Sequence, residues 1–326
     1  MTQKSLDFGD FVIEPVSGDI PHHKAAMALA AGQDPLGPLA KLRGTWKGTG
    51  FNQIWRPFDG LQQQPPQDRF LELNETSETL QFVEIPGDIP NRGLLQVDIN
   101  LHGLTYLQLI NDINVLTNGQ PTGIHIEPGI WITIPPTTNP QDPQTVARLA
   151  NIPHGTSLAS QGSAKAGAIP LSFPATDIFP FPIGNQNSPI KTFPEQDLSK
   201  PSNFRTPAAD IPNVTQQIVN NPNLVLQAGL AGKTINSVTQ LTISTVDLNP
   251  PASGGGTSNI AFLAGAAGGP NAQAAQMDAI FWISDFVDAQ GKAGTMLQYS
   301  QRVLLNFNTL SWPHVSVATL VKVPDA

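Results

Sequence analysis

Gly123-Ile124-His125-Ile126-Glu127-Pro128-Gly129-Ile130-Trp131-Ile132-Thr133-Ile134 alternates between two kinds of residue. Isoleucine stands at 124, 126, 130, 132 and 134, and the positions between them carry Gly, His, Glu, Gly, Trp and Thr. A period of two marks a β-strand whose two faces differ. Taken alone, the alternation buries the isoleucines and turns His125 to solvent.

The same texture extends in both directions. Upstream, Gly44–Trp55, Phe70–Asn74, Thr76–Ile85 and Gly103–Asn111 read as strands. Downstream, Thr145–Ile152 and Thr156–Ser163 read as a hairpin around Pro153-His154-Gly155. Strand character returns at Ile235–Asp247, Asn259–Leu263, Gln276–Ser284, Thr295–Phe307 and Pro313–Val323, with Gly254–Gly256 and Gly265–Asn271 read as flexible loops. With 31 Pro and 28 Gly, long helices are disfavoured and turns are many. The expected fold is all-β: an antiparallel up-and-down β-barrel of about ten strands, with a Pro-rich insertion and short helices.

Two segments fall outside that pattern. Residues 1–35 read as an N-terminal leader, in which His22 and His23 form an exposed pair. Residues 36–326 then form a single β-barrel domain interrupted by an insertion at 165–233. The insertion is dense in proline but also holds Phe173, Ile178, Phe179, Phe181, Ile183 and Phe193, too many apolar residues for a plain linker. It is expected to lie ordered against the barrel, with one short helix near Asn213–Gly229 interrupted by Pro222. A second short helical turn is expected at Pro35–Leu42.

Composition excludes several functions. The net charge of −8 disfavours nucleic acid and anionic membrane surfaces as partners. The absence of cysteine removes disulfides, thiolate catalysis and cysteine-held metal clusters. No apolar run has the length of a signal peptide or a membrane-spanning helix, so a cytoplasmic location is the expectation. Enzyme motifs fail one by one. Gly229–Thr234 ends like a phosphate loop, but Gln227 stands where its first glycine belongs. Gly48-Thr49-Gly50 lacks a third glycine. His125-Ile126-Glu127 lacks the cysteines of a deaminase zinc site. No Gly-x-Ser-x-Gly elbow occurs.

Three further segments carry a resemblance. They are Pro38-Leu39-Ala40-Lys41-Leu42-Arg43-Gly44-Thr45-Trp46-Lys47-Gly48-Thr49-Gly50, the His125-Ile126-Glu127-Pro128-Gly129-Ile130-Trp131 run, and Pro313-His314-Val315-Ser316-Val317-Ala318-Thr319-Leu320-Val321-Lys322. In order and position they resemble the opening, middle and last strands of the nitrobindin family, heme-binding relatives of the fatty-acid-binding and lipocalin-like barrels. The resemblance covers about 44–164 and 235–323, and the chain is about twice the family's usual length. It implies heme b at one mouth of the barrel, with His314 as the iron ligand and His125 in the same cavity. It implies an open iron position for a small diatomic or peroxide ligand, with nitric oxide binding and peroxynitrite isomerisation as the family chemistry.

The residues are compatible with this. A neutral imidazole on a rigid strand is a common heme ligand, and strand alternation places the small Ser316 and Ala318 on its face. His125 would be the acid–base residue of a weak peroxidase. Placing it inside makes the isoleucine face the outer wall, covered by the insertion or by a second subunit in a homo-oligomer. Arg56 and Arg302 lie on strands without a fixed direction. Trp46, Gly48 and Gly50 read as core packing with close backbone approach, and His154 as an exposed turn residue or one at the cavity mouth. Two other classes stay open: a heme-free carrier or barrel enzyme for an apolar small molecule, and an assembly protein with an exposed apolar wall.

Overall fold

The structure, a computed structural model, describes residues 34–60, 67–247, 253–265 and 271–324. Nearly all of the expected leader, 1–33, lies outside the described residues, as does most of the expected loop Gly265–Asn271. The barrel strands are β1 (Gly44–Gly60), β2 (Gln67–Glu84), β3 (Ile99–Thr117), β4 (Gln120–Ile134), β5 (Thr145–Ile152), β6 (Thr156–Ala166), β7 (Lys233–Ser244), β8 (Asn271–Asp288), β9 (Ala293–Phe307) and β10 (Leu310–Lys322). Each pairs antiparallel with the next, and β1 pairs with β10 from Trp46↔Lys322 to Ile54↔His314, so the ten strands close. Closure removes the sheet edges that would otherwise template aggregation.

Tight closure explains the glycines of β1. A Cβ on Gly48 would stand 2.0 Å from the Thr319 carbonyl oxygen, and one on Gly50 would stand 2.4 Å from that of Val317. Between these two glycines and the Trp46 side chain, β1 turns its inner face onto β10 at close range. Trp46 is fully buried, and its indole nitrogen donates to the Leu42 carbonyl at 2.7 Å.

One end of the barrel is plugged. The helical turn Gly37–Leu42, close to the expected one, drives Leu36, Leu39 and Leu42 into the interior against Trp46, Leu104, Trp131 and Leu320. Each leucine so buried contributes roughly 1.5–3 kcal/mol. The interior core fills this half of the barrel.

A second core lies outside the wall. Phe51, Trp55, Leu71, Leu73, Trp282, Val315 and Val317 point outward from the barrel and are buried by Leu171, Ile178, Ile211, Val219 and Leu226 of the insertion. Trp55, Phe193 and Trp312 meet with ring centroids 5.3 Å apart in each pairing. Proline denies this segment long ladders, so it is held by side chains and isolated backbone bonds. Leu71 exchanges backbone bonds with Phe204 and Thr206, and Phe181–Pro182 pairs with Ser311 and Leu310 on β10. Arg205 donates to the carbonyls of Glu195, Asp197 and Lys200. Pro222 divides the expected helix into two short ones, Gln216–Asn220 and Leu224–Ala228.

The insertion therefore covers the wall formed by β1, β2 and β8–β10, not the isoleucine wall. Val83, Leu107, Leu109, Ile126 and Leu149 on β2–β5 stay between 37% and 54% exposed in the single chain. The expectation that the insertion shields the isoleucines is corrected by the outward aromatic residues of β1 and β10, which hold it on the other side.

Candidate functional site

At the end opposite the leucine plug, the barrel holds a cavity of about 320 Å³. Its walls include Ile54, Ile110, Ile152, Leu263, Val303 and Leu305, and its polar residues include Gln108, Tyr299, Gln301 and Ser316. His125, His154 and His314 all line it. Three histidines far apart in sequence thus meet in one chamber.

His314 reaches the cavity from the start of β10. Its Nε2 lies 3.4 Å from the Ser316 hydroxyl, one pleat along the same face. Burial lowers its pKa to about 3, reinforced by the proximity of His125 and His154. It is therefore a neutral imidazole at any ordinary pH. Ser316 lines the cavity with it, whereas Ala318, one pleat deeper, sits in the interior core against Gly50.

His125 enters from β4, where alternation is broken. Ile110 pairs with His125 but Asn111 pairs with Gly123, so Ile124 is an extra residue and β4 bulges. A bulge re-aims neighbouring side chains, and both Ile124 and His125 contribute to the cavity lining. The His125 side chain keeps 17% exposure and its Nε2 stands 3.4 Å from Glu127 Oε2.

Glu127 is buried and anchored from several directions. It accepts from the Tyr106 hydroxyl and from Arg148 Nη2. Arg148 is itself buried, donating through Nε to Tyr106 at 2.9 Å and through Nη1 to Gln301 at 2.5 Å. Burial works to raise the Glu127 carboxyl, but Arg148, His125 and Tyr106 outweigh it and hold it at about 2. An ionised carboxylate only accepts, so the His125 Nε2 that faces it carries a proton.

A second polar cluster reaches the cavity floor. The Tyr299 hydroxyl donates to Glu78 Oε2 at 2.7 Å, and Gln108 Nε2 donates to both. Burial raises the Glu78 pKa against the hydrogen bonds from Tyr299, Gln108 and Thr76.

His154 occupies the β5–β6 turn at the rim, its ring centroid 5.9 Å from that of His125. Burial and the neighbouring His125 lower its pKa. Arg56 also lines the cavity and pairs with Glu72 at 2.6 Å. Arg302 faces the opposite way, into a groove under the insertion where it pairs with Asp278 at 2.9 Å. Glu127, Arg148, Glu78 and Tyr299 escape a reading of the sequence. Their one signal is Arg148, the lone charged residue of Thr145–Ile152.

Among the described residues, no three His, Asp or Glu side chains stand close enough to hold a metal ion between them. The three histidines are separate donors around a void. In comparisons with known proteins, the chain matches no protein-family model and no curated protein. The fold is a closed ten-stranded antiparallel barrel, consistent with ligand binding.

Proposed function

We propose that the cavity binds heme b, with His314 as the residue that would hold its iron, for chemistry on a small diatomic or peroxide ligand. The observation that carries this is His314 itself: a half-buried, uncharged imidazole on the closing strand, lining an otherwise mostly apolar chamber. Iron bound through one histidine needs that donor set and no other protein ligand. The three-segment resemblance to nitrobindin points to the same residue.

The lining fits the group in character. At about 320 Å³ the chamber lies at the low end of small-molecule pockets. Arg56 would be the cation of the lining for the carboxylates of a porphyrin. Heme would supply an iron centre for nitric oxide, peroxynitrite or peroxide. His125, oriented by its contact with Glu127, would be the residue that moves a proton to or from the ligand. Tyr299 and Gln108 offer hydrogen-bonding groups at the floor. A cytoplasmic location goes with this reading.

The low volume and apolar walls favour one other reading, a heme-free carrier or barrel enzyme for an apolar small molecule, in which the histidines are polar handles. Absorption spectra of the purified protein titrated with hemin, beside His314→Ala, separate the two. The heme reading expects a saturable Soret band that is lost or shifted in the variant. No band, or one indifferent to His314, would sink it. Peroxide turnover by the hemin-loaded protein is expected to fall on the order of 10²-fold in His125→Ala. Unchanged turnover ends the acid–base role.

A further inference from the structure

The barrel wall is incomplete beside His125. β4 pairs with β5 from Ile134↔Thr145 only as far as Gly129↔Ala150. Past that point β4 continues from Pro128 back to Gln120, and among the described residues it is paired with β3 alone. The β5–β6 hairpin also continues, to Ile152↔Thr156 and the tip Pro153-His154-Gly155. The two therefore run on side by side with no ladder between them. Pro128 has no N–H to donate, and a proline within a strand belongs at an edge. Pairing ends one residue after it. The hairpin tip is tied on its other side, where Ile260 N donates to Gly155 O at 2.9 Å.

Side chains, not backbone bonds, close this gap. Ile124, His125 and His154 line the inner cavity, and the same three line a recess on the outer surface. The recess is completed by Leu109, Gly123 and Ile126 among others, and it opens onto the exposed apolar wall. Leu109 and Ile126 are directly paired across β3 and β4 and are 38% and 45% exposed. One layer of three side chains thus separates an apolar outer vestibule from the chamber, and two of the three are histidine rings 5.9 Å apart.

We infer that this gap is a lateral portal, through which a flat, apolar small molecule passes from the vestibule into the cavity past His125 and His154. Rotation of two side chains opens it, whereas opening a paired wall would break a ladder of backbone bonds. The inference needs the cavity to take an apolar ligand but does not depend on that ligand being heme.

Gly123 gives the test. It lines the vestibule and not the cavity, and a Cβ there would meet only Asn111 Oδ1, at 3.6 Å. Gly123→Phe fills the vestibule without touching the bound ligand. Stopped-flow binding of hemin, by Soret absorbance, and of 1-anilinonaphthalene-8-sulfonate, by fluorescence, would be measured on the full chain. Association and dissociation are both expected to slow by about tenfold, with Kd unchanged within about twofold, because a gate alters the barrier and not the end states. His154→Ala thins the gate and is expected to speed both rates. It serves as a second variant should Gly123→Phe fold poorly. Unchanged rates in both variants, or a change in dissociation alone, would overturn the portal. Hemin binding with a His314-dependent Soret band but rates indifferent to Gly123 would leave the heme reading standing and remove the portal. Slowed fluorophore binding without any hemin binding would do the reverse. Binding of neither molecule overturns both.

Discussion

Replacing Arg148 with methionine isolates the charge that holds the inner face of β4 in place. The side chains of Arg148 and Glu127 are 2% and 1% exposed, so neither can turn to water without the wall moving. Methionine keeps the volume of the aliphatic stem but not the guanidinium carbon that stands 5.5 Å from the Tyr106 ring centroid and 5.6 Å from that of Phe281. What it removes is the guanidinium, leaving Glu127 with Tyr106 and His125 as its partners. Breaking a buried pair from one side costs about 3–5 kcal/mol, roughly a fifth or more of the stability of an ordinary domain. The double variant Glu127→Gln/Arg148→Met takes away both charges and is expected to recover most of that loss. All five tryptophans are buried, so urea unfolding followed by their fluorescence reports the whole barrel. The pH dependence is a second readout. Glu127 sits at about 2 in the folded chain against an ordinary 4.5, so its contribution is present above 4.5 and is lost as pH falls towards 2. In Arg148→Met that acid loss moves to higher pH. A cost below about 1 kcal/mol, or a double variant no more stable than the single one, would refute the view that these charges depend on each other.

Two further outcomes follow from particular contacts. His314 is held neutral to about pH 3 when folded, whereas the unfolded chain takes up that proton near 6.5, so stability falls as pH drops through this window. Between pH 6.5 and 4.5 the natural chain should lose on the order of 2–3 kcal/mol more than His314→Leu, and parallel urea midpoints across those pH values would contradict this. Gly48→Ala puts a Cβ 2.0 Å from a backbone oxygen that cannot move aside, and should cost about 2–3 kcal/mol or more. Gly123→Ala, with 3.6 Å of clearance, should stay within about 0.5 kcal/mol of the natural chain. Equal thermal midpoints for the two alanine variants would show that close approach is not why β1 carries glycine.

Most of the barrel was legible because alternation and turn residues agree along the chain. The departures have local causes. Phe70–Asn74 and Thr76–Ile85 read as two strands, since Asn74-Glu75-Thr76 looks like a break. They are one strand, because Asn74 and Thr76 point inward and find partners there, Asp112 at 2.7 Å and Glu78 at 3.1 Å. Gly254–Gly256 read as a flexible loop but begin a short strand, Gly254–Asn259, that pairs with β6. All three have positive φ, and a Cβ on Gly255 would stand 2.4 Å from the Ala159 carbonyl oxygen. Asn259–Leu263, read as a strand, instead leads into a helical turn at Ala261–Ala264.

The site was harder, for a reason that lies in how the chain distributes polarity. Alternation assigns the apolar face to the interior, and by that rule His125 belongs outside. Here the interior around the cavity carries Glu127, Arg148, Tyr106, Gln108, Glu78 and Tyr299, each satisfied by another, so burying that face leaves few bonds unmade. The isoleucine face is left outside, half exposed. A polar lining of this kind cannot be recognised one strand at a time, because its partners come from five strands, β2 to β5 and β9. Only the resemblance through His125 and His314 points to the correct face in advance. Pro128 was the local clue that went unused. In a strand reading it looks like a tolerated irregularity, but a closed barrel should have no edge for it to occupy. Its presence implies that the wall is open there, and that opening lies beside the histidine whose direction alternation misassigns.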